Sequence, residues 1–286
     1  MKLWALLYRI LNRLLPGRYV RKLEYRRKYR RLKRSSLGKI LDGNSCLKDK
    51  YTGRRCFILG NGPSLLDIDL SILQEEITFT VNDLFYKDDF QKINTTYHLF
   101  ADPYYYDRLD EVIKKLNEKA KPEGIFIESS GAEKLKHITC KPGCPVHVFA
   151  GGIEVEDLNW LTMDLCGYLP YFCTVVQSAV AIAAYMGFQE IYLLGCDCTG
   201  IINYINRQQG DLQRCYAFDL PEEEKEKQQE ICISSEHMFF EWYHIFKSYR
   251  LLREYLEKKG LKLINLTENS ILDSLEKGKL NDVIKA

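Results

Sequence analysis

The chain has 286 residues, 46% of them hydrophobic, and a formal net charge of +2. This points to one large domain with appendages and excludes a disordered or low-complexity scaffold. The near-neutral total hides an asymmetry: residues 1–36 carry 13 Lys and Arg against the single acid Glu24, a charge of +12, while the remainder carries −10 from 28 basic and 38 acidic residues. The extension therefore calls for an anionic partner.

Residues 3–15 (LWALLYRILNRLL) are too short an apolar run to cross a bilayer, and no small-residue cleavage site follows them. A basic amphipathic helix stopped at Pro16-Gly17 and followed by RKLEYRRKYRRLKR suits an anionic membrane surface. Packing on the protein's own acidic body is the bland alternative. Nucleic acid is set aside, because the apolar cluster around Trp4 has little use on a phosphate backbone. The expected organisation is thus a membrane-associating segment over 1–36, a polar linker over 37–54 and a single α/β domain over 55–286. The ten cysteines form no regular framework, and those inside apolar runs (Cys56, Cys166, Cys173, Cys196) read as buried hydrophobes of a reducing cytoplasm. Cys140 and Cys144 in CKPGC lack a second ligand pair, so no metal is expected there.

Short β-rich runs then alternate with helical patterns. Strands are expected at Cys56–Leu59, Ile77–Val81, Tyr97–Ala101, Gly124–Ile127, Pro145–Phe149, Glu190–Leu194 and Leu261–Asn265, and helices at 64–74, 104–119, 174–187 and 236–259. That alternation predicts a mostly parallel, Rossmann-like sheet with helices on both faces. Ligands of such sheets bind beyond the carboxyl ends of the strands. At the first of these ends stands Gly60-Asn61-Gly62-Pro63-Ser64, where glycines permit close backbone approach and the following helix offers amides to a phosphate. It lacks the third glycine of the dinucleotide fingerprint and the Gly-Lys-Ser/Thr of a P-loop. Asn82 and Asp102 close the next two strands; each taken alone is as well explained as a turn former. The acidic pair Asp67 and Asp69 reads as structural, beside a helix N-terminus, and not as a manganese site.

GNGPSL, Asn82 in VNDLFY, Asp102-Pro103, Ala179–Gly187 leading into EIYLLG, Tyr216-Ala-Phe-Asp219 and a His-bearing helix before KGLKLINLT together resemble the bacterial sialyltransferases of glycosyltransferase family 42. They equally resemble a broader MptE-like bacterial family named for an archaeal 6-hydroxymethylpterin diphosphokinase, often found among surface-polysaccharide functions. The resemblance spans roughly 54–275. It implies a glycosyltransferase that takes a nucleotide sugar, a CMP-sugar above all, and a glycan acceptor of surface polysaccharide or lipooligosaccharide. Gly60, Asn61, Gly62, Ser64, Asn82, Asp102 and Thr174 would hold the donor, Tyr216 would brace the leaving phosphate, and no metal or other cofactor would take part. The family has an Asn where Asp102 stands, Ser-Gly where Val175-Val176 follow Thr174, and a Tyr where Thr199 stands; Tyr204 is a candidate substitute for that last group. The inverting base falls on His244, or on His237 with a different alignment slip; a histidine titrates near neutrality and suits the task. Residues 199–235, polar and without strand pattern, read as a lid. The enzyme would sit on the cytoplasmic, inner face of the membrane. Two other readings stay open, an ATP- and Mg-dependent pterin diphosphokinase-like phosphotransferase and a non-catalytic membrane scaffold.

Overall fold

The computed structural model describes residues 16–131, 144–208, 216–219 and 234–285. The expected helix at 3–15, Cys140 and most of the lid lie outside the described residues. Among those described, the strands are β1 (Arg55–Leu59), β2 (Thr78–Val81), β3 (Tyr97–Phe100), β4 (Gly124–Glu128), β5 (Val146–Phe149), β6 (Gly151–Ile153), β7 (Leu169–Pro170), β8 (Glu190–Leu194), β9 (Lys262–Asn265) and β10 (Glu276–Lys277). Eight of them form one sheet in the order β10-β9-β8-β1-β2-β3-β4-β5, every pairing parallel, and β6 pairs with β7 apart from it. The seven strands expected from the sequence all occur, each within one residue of its expected ends.

Among the described residues the helices are α1 (Gly17–Lys33), α2 (Ser36–Asp42), α3 (Leu109–Lys119), α4 (Val175–Tyr185), α5 (Gly200–Gln208), α6 (Ser235–Glu257) and α7 (Leu280–Ile284). One expected helix, 64–74, is absent. In its place stand two 3-10 turns, Pro63–Asp67 and Leu70–Leu73, separated by Ile68 in extended backbone. The reason is packing: Leu65, Leu70 and Leu73 are all fully buried, and a five-residue step from Leu65 to Leu70 would put them on diverging sides of an α-helix.

Alternate residues of the strands build two cores. Cys56, Ile58, Phe79, Val81 and Leu99 pack with α4 and with Tyr249, Leu252 and Leu256 of α6. Phe57, Leu59, Phe100, Ile125 and Ile127 face the other way, onto Leu65, Leu70, Val112 and Leu116. This is the period-two pattern of a sheet covered on both faces. The small residues Ala179, Ala181 and Ala183 let α4 lie close on the sheet.

The polar stretch 37–54 is built into the body. The Asn44 side-chain amide is buried and donates to the carbonyls of Val148 (2.7 Å) and Leu165 (3.1 Å), and Tyr51 stacks on Phe188 with centroids 4.7 Å apart. Helix α1 also docks: Val20 and Leu32 are buried, Arg21 Nε donates to Asp157 Oδ1 at 2.8 Å, and Lys33 Nζ donates to the Cys166 carbonyl at 2.9 Å. One side of α1 thus packs on the body, and the other side is exposed. No helix among the described residues is long and apolar enough to cross a membrane.

Candidate functional site

The polar strand ends converge on a cavity of about 560 Å³ beyond β1, β2, β3 and β8. Strand β1 lies between β2 on one side and β8 on the other, so the cavity occupies the topological switch point of the sheet. Gly60, Asn61, Gly62, Asn82, Asp102, Thr174 and Tyr216 line it. Ser64, His237 and His244 are not among the described residues that do.

The glycine turn works differently from a phosphate cradle. The amides of Gly60 and Gly62 donate to the carbonyls of Leu194 (2.8 Å) and Gly195 (2.9 Å). Ser64 donates through its amide (3.1 Å) and its hydroxyl (2.8 Å) to the two carboxylate oxygens of Asp197. A Cβ on Gly60 would press on the Gly195 carbonyl, and one on Gly62 would collide with the Asp197 carboxylate. The glycines therefore serve the close approach of the β8 end to the β1 end. Because Pro63–Asp67 is a 3-10 turn, the expected helix terminus is missing here as well. It is supplied from the opposite wall by α4, whose first turn, Thr174 to Val176, lines the cavity. Thr174 caps that helix by accepting from the Gln177 amide at 3.4 Å, and the positive end of the helix dipole faces the cavity.

Asn61 and Asn82 share a feature at the cavity wall. Each carboxamide oxygen is buried and has no hydrogen-bond partner among the described residues. The Asn61 carbonyl accepts from the Ala217 amide at 3.0 Å, which ties the Tyr216–Phe218 stretch to the glycine turn; Tyr216 stacks on Phe218 at 5.5 Å. Asn82 adopts φ 46°, a left-handed conformation that Asn tolerates better than most residues. Buried His98 fixes it: Nε2 bonds the Asn82 carbonyl at 3.0 Å while Nδ1 meets the Thr80 hydroxyl at 2.7 Å. Burial holds that imidazole neutral, its pKa pushed down to about 3.

Two carboxyls stand on the cavity wall. Asp102 Oδ1 accepts from the Tyr104 amide at 2.9 Å and so caps the turn Pro103–Arg108; loss of hydration raises its pKa above the ordinary carboxylate value. Asp197 is also raised, because burial outweighs the two bonds from Ser64. Asp197 escaped the reading of the sequence, although the rule that selected Asn82 and Asp102 selects it too: it follows EIYLLG at the end of β8. Its loop is held by left-handed backbone at Gly195 (φ 62°) and Cys198 (φ 57°). Phe172, Trp242, Ile245 and Tyr249 complete an apolar wall. Burial raises the pKa values of the Cys196 and Cys198 thiols and keeps them protonated; Cys173, expected to be buried, is exposed. No group of three or more His, Cys, Asp or Glu among the described residues is arranged to hold a metal.

Helix α6 turns Trp242, Ile245 and Tyr249 to the cavity. Its two histidines lie elsewhere. His237 is exposed and pairs with Glu241 at 3.1 Å, and His244 lies between the rings of Phe240 (4.3 Å) and Tyr243 (5.2 Å).

No family model matches the chain, and no curated protein matches it. Among solved structures it is similar to the sialyltransferase CstII from Campylobacter jejuni in complex with a substrate analogue, cytidine-5'-monophosphate, at 20% identity over 80% of this chain and 86% of that one, with a TM-score of 0.48. It is also similar to the MAf glycosyltransferase from Magnetospirillum magneticum AMB-1, at 13% identity over 85% of this chain and 38% of that one, with a TM-score of 0.44.

Proposed function

We propose that this protein transfers a sugar from a nucleotide donor, a CMP-sugar by preference, to a glycan acceptor, with inversion and without a metal. The observation that carries the reading is the pair of buried carboxamide oxygens of Asn61 and Asn82 on the cavity wall, both without a partner among the described residues. A carboxamide oxygen on a cavity wall accepts an N–H or O–H, which a nucleoside brings as ribose hydroxyls and a base amino group, whereas an ionised phosphate brings none. The phosphate belongs instead at the N-terminus of α4, and the cavity is of ordinary size for a small-molecule ligand.

In the family resemblance Tyr216 braces the leaving phosphate and His244, or else His237, removes the acceptor proton. Asp102 is a further candidate base, because it lines the cavity and loss of hydration raises its pKa. The +12 charge of residues 1–36 supports attachment to an anionic membrane surface. A ligand-stabilisation screen tests the donor reading: CMP is expected to raise the thermal midpoint with or without Mg²⁺, and Asn61→Asp and Asn82→Gly, the latter at ease at φ 46°, to abolish that rise while the unliganded midpoint stays near wild type. A rise with ATP that requires Mg²⁺, or no rise with any nucleotide, refutes the reading.

A further inference from the structure

The outer face of α6 is apolar where a helix surface is ordinarily polar. Phe239, Phe240 and Tyr243 are 53%, 60% and 59% exposed, and they neighbour the residues that line the cavity without lining it themselves. This stripe is joined to α1 through one short turn, Val155–Asn159. Glu156 pairs with Lys247 of α6, and the adjacent Asp157 pairs with Arg21 of α1. The Lys247 ammonium also lies 5.5 Å from the centre of the Tyr243 ring. The two helices therefore flank the same turn.

Helix α1 shows eight exposed basic residues and a single acid, Glu24. Tyr19 and Leu23, both exposed, fall on one helical face with Arg26 and Arg30, at steps of four, seven and eleven residues. Aromatic side chains beside a dense cationic helix match the two demands of an anionic bilayer, apolar insertion at the level of the headgroups and neutralisation of phosphate charge.

We propose that the outer face of α1 and the Phe239–Phe240–Tyr243 stripe together form the surface that binds an anionic lipid bilayer, bringing the cavity to within about one helix diameter, ~10 Å, of it. This deepens the membrane reading above, with a second contact besides residues 1–36. It is measured without a nucleotide, so its failure leaves the donor reading untouched.

Sedimentation of the full chain with vesicles of phosphatidylcholine, with and without phosphatidylserine, tests it. Phe239→Ser/Phe240→Ser and Arg26→Glu/Arg30→Glu are each expected to lower partitioning onto the anionic vesicles about tenfold or more at an unchanged thermal midpoint. Phe240→Trp reads the same contact without truncating the stripe: brominated lipid should quench its fluorescence more than that of the wild type. The inference is overturned by wild-type protein that ignores anionic vesicles or prefers RNA to them. It is equally overturned if the double Phe variant sediments as wild type, including the case where that variant instead turns a dimer into a monomer, or if the introduced Trp gains no quenching.

Discussion

His98 and the Asn82 carbonyl are joined by a hydrogen bond of 3.0 Å that runs from the centre of the sheet to the rim of the cavity. A carbonyl only accepts, so Nε2 carries the proton and Nδ1 receives the Thr80 hydroxyl at 2.7 Å. One neutral imidazole, fully buried beside the C-terminal end of β2, thus holds a non-glycine residue at φ 46° on the cavity wall.

That arrangement makes stability depend on pH. The unfolded chain protonates this histidine near its ordinary value of about 6.5, and the folded chain only near 3. The stability it contributes is complete above the unfolded value and is lost as pH falls through that window, at about 1.4 kcal/mol per pH unit. Denaturant titrations at pH 7 and pH 5 are expected to show a steeper loss for the wild type than for His98→Gln. The variant should start about 1–3 kcal/mol lower at pH 7, for the bonds it loses. Equal slopes would mean that His98 is protonated in the folded state.

The glycine turn and the end of β8 should be energetically coupled. Gly62→Ala places a methyl group where the Asp197 carboxylate lies, and the expected cost is about 1–3 kcal/mol. Asp197→Ala removes both partners of Ser64 at a similar cost. In the double variant the alanine at 62 meets no carboxylate, so its penalty should shrink by at least about 1 kcal/mol. Additive losses in a double-mutant cycle would contradict the steric account of Gly62.

Turnover and donor affinity, measured together, should locate the base. The family resemblance assigns it to His244, so His244→Ala is expected to reduce kcat by roughly 10²–10⁴ while CMP still binds. His237→Ala, on the exposed pair with Glu241, serves as the control for the alternative alignment. If His244→Ala turns over normally and Asp102→Asn does not, the base is the carboxyl on the cavity wall.

The architecture was legible because it rests on local and repeating signals. Apolar runs of four or five residues bounded by turn formers can be buried on both faces only as parallel strands under helices, so β1 to β5, β8 and β9 follow from pattern alone. Asn61, Asn82 and Asp102 could be singled out for a related reason: a polar residue that ends such a strand has to emerge at the ligand edge of the sheet. Other features depended on distance in the chain. The Asp197 carboxylate and the Gly62 backbone lie 135 positions apart, and no local pattern announces that one occupies the space the other leaves vacant. Nor does the sequence show that Asp197 engages the Ser64 amide, which is why a turn expected to cradle phosphate is instead closed on itself. The two faces of α6 were likewise undecided. His237 and His244 flank the same core stripe, and only the position of Val155–Asn159 against the helix, with Glu156 on Lys247 and Asp157 on Arg21, separates a side that lines the cavity from a side that carries exposed aromatics. Periodicity fixes which residues share a face, but what that face meets is decided by segments far away in sequence.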